Sequence, residues 1–183
     1  EFYTPLKASD SDLRFVFITG ITKFSQMSIF SVINNIQDIS MLPGYSSICG
    51  ITEDELKTVF VEDIAALAAK HQCTSDDMLA VLKDNYDGYH FAEDLKDIYN
   101  PYSLLSAFSQ KKIQPYWFAS GTPTFLIHQL CDFDVDITAI DDIHTDATAF
   151  DRPIEALNDA YALLYQSGYL TIKNFDGFAY KIG

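Results

Sequence analysis

Lysine and arginine are scarce in this chain: 12 of them stand against 26 aspartates and glutamates, a formal net charge of −14. Only Lys111 and Lys112 are adjacent. Nucleic-acid binding rests on neutralising phosphates with such side chains, so this balance argues against nucleic acid as a partner. The acidic surplus serves solubility instead. Cysteine is also sparse, at Cys49, Cys73 and Cys131. An odd number at wide spacing is neither a disulfide framework nor a zinc pattern, and it fits a reducing cytoplasm. The four histidines, His71, His90, His128 and His144, show no i, i+4 pairing and no nearby cysteine at ligand spacing, so no metal site is expected. No apolar run approaches the roughly 18 to 20 residues of a membrane span. A secretory signal peptide and a Gly-x-Ser-x-Gly nucleophile motif are likewise missing.

What the chain does have is apolar bulk. Of its 183 residues 48% are hydrophobic and 14% aromatic, enough for a packed core and too much for disorder. The length holds one domain, or a domain with a small appendage. The sequence opens Glu1-Phe2-Tyr3, without an initiating Met and inside an expected helix, and a piece of a longer protein is the expectation.

The stretch Phe15 to Thr19 is apolar or β-branched on both faces, and Gly20 breaks it. Such a run reads as a strand buried from both sides, as in a parallel sheet. No good partner strand follows soon after it. A helix closing at Ser9 and an Asp10-Ser-Asp12 turn precede it. Ser25 or Ser28 caps a helix carrying Ile29, Phe30, Ile33 and Ile36, and Pro43-Gly44 marks a loop. Thr52-Glu-Asp-Glu55 is a capping box that opens a helix to about His71. Ser75 caps the next helix, with Met78, Leu79, Leu82 and Tyr86 on one face. The short gap between these two makes them neighbours.

Asp87-Gly88 suits a tight turn among aromatics. Asn100-Pro101 and Thr122-Pro123 each open a helix with a cap and a first-turn proline. The acidic, poorly periodic stretch from Cys131 to Phe150 has room for one short strand. A helix from Pro153 to Ser167 ends at Gly168. Tyr169 to Lys173 and Phe178 to Ile182 then alternate around Asn174-Phe-Asp-Gly177 as a β-hairpin. A helix running into a hairpin is the outline of a winged helix.

Six segments, in order, resemble the bacterial AAA-ATPase-like family. They are Phe17-Ile-Thr-Gly-Ile-Thr-Lys-Phe-Ser25, Ile48-Cys-Gly-Ile-Thr-Glu-Asp-Glu-Leu56 and Tyr86-Asp-Gly-Tyr-His-Phe91, then Tyr99-Asn-Pro-Tyr-Ser-Leu-Leu105, Tyr116-Trp-Phe-Ala-Ser-Gly-Thr-Pro-Thr-Phe-Leu126 and Leu164-Tyr-Gln-Ser-Gly-Tyr-Leu-Thr-Ile172. Those proteins join a P-loop ATPase region to a PD-(D/E)XK nuclease-like domain. The resemblance implies a mainly α fold with minor β: a remnant ATPase core strand, a helical lid and a C-terminal winged-helix-like hairpin. It divides the chain into the end of the ATPase core at 1–50, the lid at 51–131 and the winged-helix-like part at 132–183.

The departures from the family pattern matter as much. A P-loop needs glycines followed by Gly-Lys-Ser or Gly-Lys-Thr, whose backbone N–H groups cradle phosphate. None of the eight glycines precedes such a pair. The acidic strand end that would hold Mg²⁺ is also missing, and both are expected upstream of Glu1. The resemblance therefore implies a piece that couples nucleotide state to a nuclease-like domain without catalysis of its own. ATP and Mg²⁺ belong to the intact parent, whose upstream core and downstream nuclease-like domain are the expected partners.

By the same resemblance Thr19, at the strand end, takes the place of a γ-phosphate sensor, with Thr22 just beyond and Lys23 adding positive charge. The alternative for these three is ordinary turn chemistry. Tyr86, Asp87, Tyr89 and His90 form a candidate interaction surface, against which stands simple aromatic packing. No catalytic or metal-binding residue is assigned. Asp132-x-Asp134-x-Asp136 lacks the Gly and Glu of a calcium loop, having Ile137 and Ile143 there. Glu55-Leu-Lys57 imitates a nuclease motif, yet Glu55 is committed to the capping box. A protein–protein interaction module with no nucleotide role is the alternative function.

Overall fold

The computed structural model describes residues 9–20, 37–119, 133, 140, 143–150 and 160–183. Thr22 and Lys23 lie outside the described residues. So do the expected helix at 2–9 up to its last residue, the helix at 25–36, the Thr122-Pro123 helix start, Asp132, Asp134 and Asp136, and the first residues of the helix expected from Pro153. The fold is mainly α with minor β.

The described elements begin with a 3₁₀ turn at Asp10–Asp12 and another at Pro43–Tyr45. The strand expected at Phe15 to Thr19 is corrected here: Arg14 to Gly20 carries no strand and is exposed throughout. Phe15 is 79% exposed, and Val16, Phe17 and Ile18 are also open to solvent. The physical reason is the absence of a ladder. Strand geometry is stabilised by hydrogen bonds to a neighbour, and no strand among the described residues pairs with this run.

The helical unit follows local rules closely. Strand β1 (Ile51–Thr52) leads into α1 (Glu53–Val59), where the Thr52 hydroxyl accepts from Glu55 N and Glu55 accepts from Thr52 N. The single helix expected to reach His71 is broken at Phe60, and α2 (Val61–His71) begins on the other side. The Thr58 hydroxyl bonds back to the Asp54 carbonyl, a contact that bends helices, while Phe60 stacks on Phe108 at 5.5 Å. Helix α3 (Ser75–Tyr86) is capped by Thr74, one residue before the expected Ser75, in a second capping box closed by Asp77. Strand β2 (Ile98–Tyr99) pairs antiparallel with β1, and Asn100 caps α4 (Pro101–Gln110) by accepting from Ser103 N at 2.9 Å. A short α5 (Tyr116–Ala119) follows. Leu56, Leu67, Met78, Leu82 and Leu104 close one core.

A second core forms around Phe150, Leu170, Ile172, Tyr180 and Ile182. Strand β3 (Ile143–Thr145) falls in the acidic stretch where one short strand was expected, followed by α6 (Ala147–Phe150) and α7 (Ala160–Gln166). The hairpin is present as β4 (Ile172–Phe175) and β5 (Tyr180–Ile182), with β5 central in the antiparallel order β3-β5-β4. Its turn sits two residues later than expected. The Asp176 carboxylate accepts from Phe178 N and Ala179 N at 2.9 and 2.8 Å, which fixes the reversal there. Among the described residues no helix is long and apolar enough to cross a membrane.

Candidate functional site

Two units with separate cores meet where helix α3 ends. Tyr86 is its last residue, and Asp87 leaves in an extended conformation. Gly88 then turns with φ +105°, in the left-handed range that side chains disfavour. The chain comes back against β2: Tyr89 and Ile98 exchange backbone hydrogen bonds, and Asn100 N donates to Tyr86 O at 2.8 Å. The turn is thus a closed loop tied to its own root.

From this loop the side chains point into the molecule. The Tyr86 hydroxyl donates to Gln114 O and accepts from Gln114 N, both at 3.0 Å. The Tyr89 hydroxyl donates to Gly168 O at 3.2 Å. His90 reaches the C-terminal unit through its backbone and its ring. His90 N donates to the Thr171 hydroxyl at 2.7 Å, which in turn donates to His90 O at 3.2 Å. The ring Nδ1 lies 2.6 Å from Ile172 O and Nε2 lies 2.7 Å from Asp97 Oδ1. Nearby, Trp117 meets Tyr169 edge-on at 4.7 Å.

Behind His90 one lysine serves three carboxylates. Lys83 Nζ is 3.4 Å from Asp97 Oδ2, 3.6 Å from Asp87 Oδ2 and 3.7 Å from Glu53 Oε2. The hydrogen bond from His90 is the main influence holding the Asp97 carboxyl below its ordinary range. Asp97, by hydrogen bond and charge, raises Lys83. Asp87 moves the other way: its side chain is 5% exposed, and burial raises its carboxyl above the usual value. Its Oδ1 is buried with no hydrogen-bond partner. Burial, and then the neighbouring carboxylates, push the Tyr99 hydroxyl up to about 12.

Tyr86, Asp87, Tyr89 and His90, the expected interaction surface, stand at a junction between the two units, with Tyr89 and His90 half-buried. Tyr86 and the Asp87 side chain are buried, and the hydrogen bonds of Tyr89 and His90 run to the chain's own residues. Aromatic bodies with polar ends satisfied by backbone are cheaper inside than in water. Thr19 is exposed at the end of the unpaired stretch, far in sequence from this junction. Sequence reasoning missed Lys83, Asp97 and Thr171. Lys83 and Asp97 meet across 14 positions and Thr171 meets His90 across 81, separations that no local pattern records.

A groove of about 270 Å³ beside Lys83 is lined by Glu53, Lys57, Asp76, Leu79 and Tyr99 among others. It falls below the usual range for small-molecule pockets, about 300 Å³ upward. Both its lysines pair with Glu53, Lys57 at 2.5 Å and Lys83 at 3.7 Å. No three His, Cys, Asp or Glu side chains among the described residues are disposed to hold a metal ion.

No family model matches the chain, and no solved structure matches it. Over 171 residues it is 36% identical to a protein of Azotobacter chroococcum mcd 1 described as "Uncharacterized protein in vnfD 5'region". The match covers 93% of this chain and 31% of that protein, so the chain spans about a third of the relative's length.

Proposed function

We propose that this chain is the lid and C-terminal part of an AAA-ATPase-like protein, which closes over nucleotide held by an upstream core and relays its state to an adjacent nuclease-like domain. The six ordered segments support that reading, and one structural observation carries it furthest. Phe15, Val16, Phe17 and Ile18 form an apolar run exposed on both faces and without a ladder partner among the described residues. Alternate residues of a strand face opposite sides, so covering this run takes a sheet with layers on both faces. A P-loop core supplies such a sheet. The relative's length, of which the match is 31%, leaves room for one.

In this reading Thr19 ends the strand at the γ-phosphate, with Thr22 and Lys23 beyond it, and ATP and Mg²⁺ bind the core. The antiparallel order β3-β5-β4, with α6 and α7 ahead of the hairpin, supports a winged-helix-like relay element. A cytoplasmic setting belongs to the same proposal, supported by the unpaired Cys49 and Cys73. The test is Mg-ATP hydrolysis by the purified chain and by the product of the full reading frame. The chain alone gives no turnover, the longer protein turns over, and Thr19→Ala in the longer protein lowers its rate at least about tenfold. Hydrolysis by the chain alone overturns the reading.

An interaction module without a nucleotide role is the second reading. Val59, Val61, Tyr102 and Leu105, all exposed on the helical unit, favour it. A longer protein that binds no ATP would move it to first place.

A further inference from the structure

We propose that His90 in its imidazolium form is a proton-dependent latch that holds the C-terminal strands against the helical unit. The inference rests on the junction's geometry and stands apart from the nucleotide reading.

Both ring nitrogens face atoms that only accept. Ile172 O is a backbone carbonyl 2.6 Å from Nδ1, and Asp97 Oδ1 belongs to a carboxylate 2.7 Å from Nε2. A neutral imidazole has one N–H. With the proton on Nδ1, the lone pair of Nε2 meets the Asp97 carboxylate. With the proton on Nε2, the lone pair of Nδ1 meets the Ile172 carbonyl. Either neutral tautomer sets two acceptors against each other at hydrogen-bond distance. The imidazolium donates to both, and its bond to Asp97 is charge-assisted.

Asp87 stands on the same turn, Glu93, Lys96 and Asp97 on the following loop, Lys83 on α3, and Glu53 with its partner Lys57 on α1 behind Lys83. The C-terminal unit presents the Thr171 hydroxyl and the Ile172 carbonyl. With Lys57 also paired to Glu53, two lysines stand against the three carboxylates Glu53, Asp87 and Asp97.

The ring's position gives it leverage. Thr171 exchanges backbone hydrogen bonds with Gly183, each at 3.1 Å, so holding Thr171 and Ile172 holds the end of the β4–β5 pair. The Thr171 hydroxyl and Tyr89–Gly168 contacts do not titrate near neutrality. Loss of the ring proton therefore loosens the junction without detaching it. The latch is complete while the ring is protonated and fails as pH rises through the ring's titration.

Two measurements on the whole chain test this. Long-range ¹H–¹⁵N spectra read the protonation of each His90 nitrogen, and hydrogen exchange, corrected for intrinsic rate, reads protection of the His90 and Thr171 amides. Both nitrogens should carry protons where protection is full. As the ring deprotonates, protection at His90 and Thr171 should fall about tenfold or more, while Leu67 and Leu82 in α2 and α3 keep theirs. In Asp97→Asn, the amide N–H can donate to Nε2 of a neutral ring that still donates from Nδ1, so protection should persist and lose its pH dependence. A ring that is neutral while protection is full overturns the latch. So does protection that ignores the ring's titration, or an Asp97→Asn variant with the wild-type pH profile.

Discussion

At Asp97 and Asp87, two carboxylates sharing one lysine are pushed in opposite directions. Asp97 is half open to solvent and accepts from His90, which lowers its titration, whereas Asp87 is buried and raised. The signs decide the acid behaviour. A carboxyl lowered by folding contributes stability that is present above its unfolded value and lost as pH falls through its folded value. Asp87 has the reverse sign and is relieved by taking up a proton. Glu55 and Asp77, lowered by the Thr52 and Thr74 caps, act in the same sense as Asp97. Asp97→Asn should therefore give a shallower acid limb in a plot of urea midpoint against pH, while the caps keep some of it. A limb as steep as wild type would show that Asp97 contributes nothing to it.

Elements were legible in the sequence wherever a local device builds them. Thr52 and Glu55 are three residues apart, and the box they form needs nothing else. Asn100-Pro101 is equally self-contained. The break at Phe60 was not legible, because Phe108 lies 48 positions away and stacks on it only after folding. The cap at Thr74 was misplaced by one residue because Ser75 offers the same chemistry, and the geometry of Asp77 decides between them. The Phe15–Ile18 run shows the limit most clearly: its pattern asks for a sheet, and a pattern cannot supply the neighbouring strands.

Gly50, inside one of the recognised segments, has a packing role that composition hides. A Cβ there would stand 1.7 Å from Ile98 Cγ2 and 3.4 Å from Tyr99 O, on the strand paired with β1. Ile98 is buried and β-branched, so it cannot swing away. Gly50→Ala should destabilise the protein by about 1–3 kcal/mol in chemical denaturation, as overpacking does. An unchanged midpoint would mean that β1 and β2 separate freely.

Across the whole molecule, one core is built from residues between Leu56 and Tyr116, and Met41 and Leu95 pack onto the other, so neither the cores nor their junction follow from local sequence alone. The Tyr86–His90 turn looked like a surface because its aromatics and charges cluster in sequence. Thr171, Gly168 and Gln114 turn it inward, and each is remote along the chain. The two units are joined there by hydrogen bonds and by the Trp117–Tyr169 ring contact.

The central claim concerns the unpaired apolar run at the other end. Hydrogen exchange at the amides of Phe15 to Ile18 tests it directly, in the chain alone and in the product of the full reading frame. The account predicts rapid exchange in the chain alone and protection by at least about a hundredfold in the longer protein, where ladder hydrogen bonds form. Rapid exchange in both, or a reading frame with no upstream core to pair with, would contradict it.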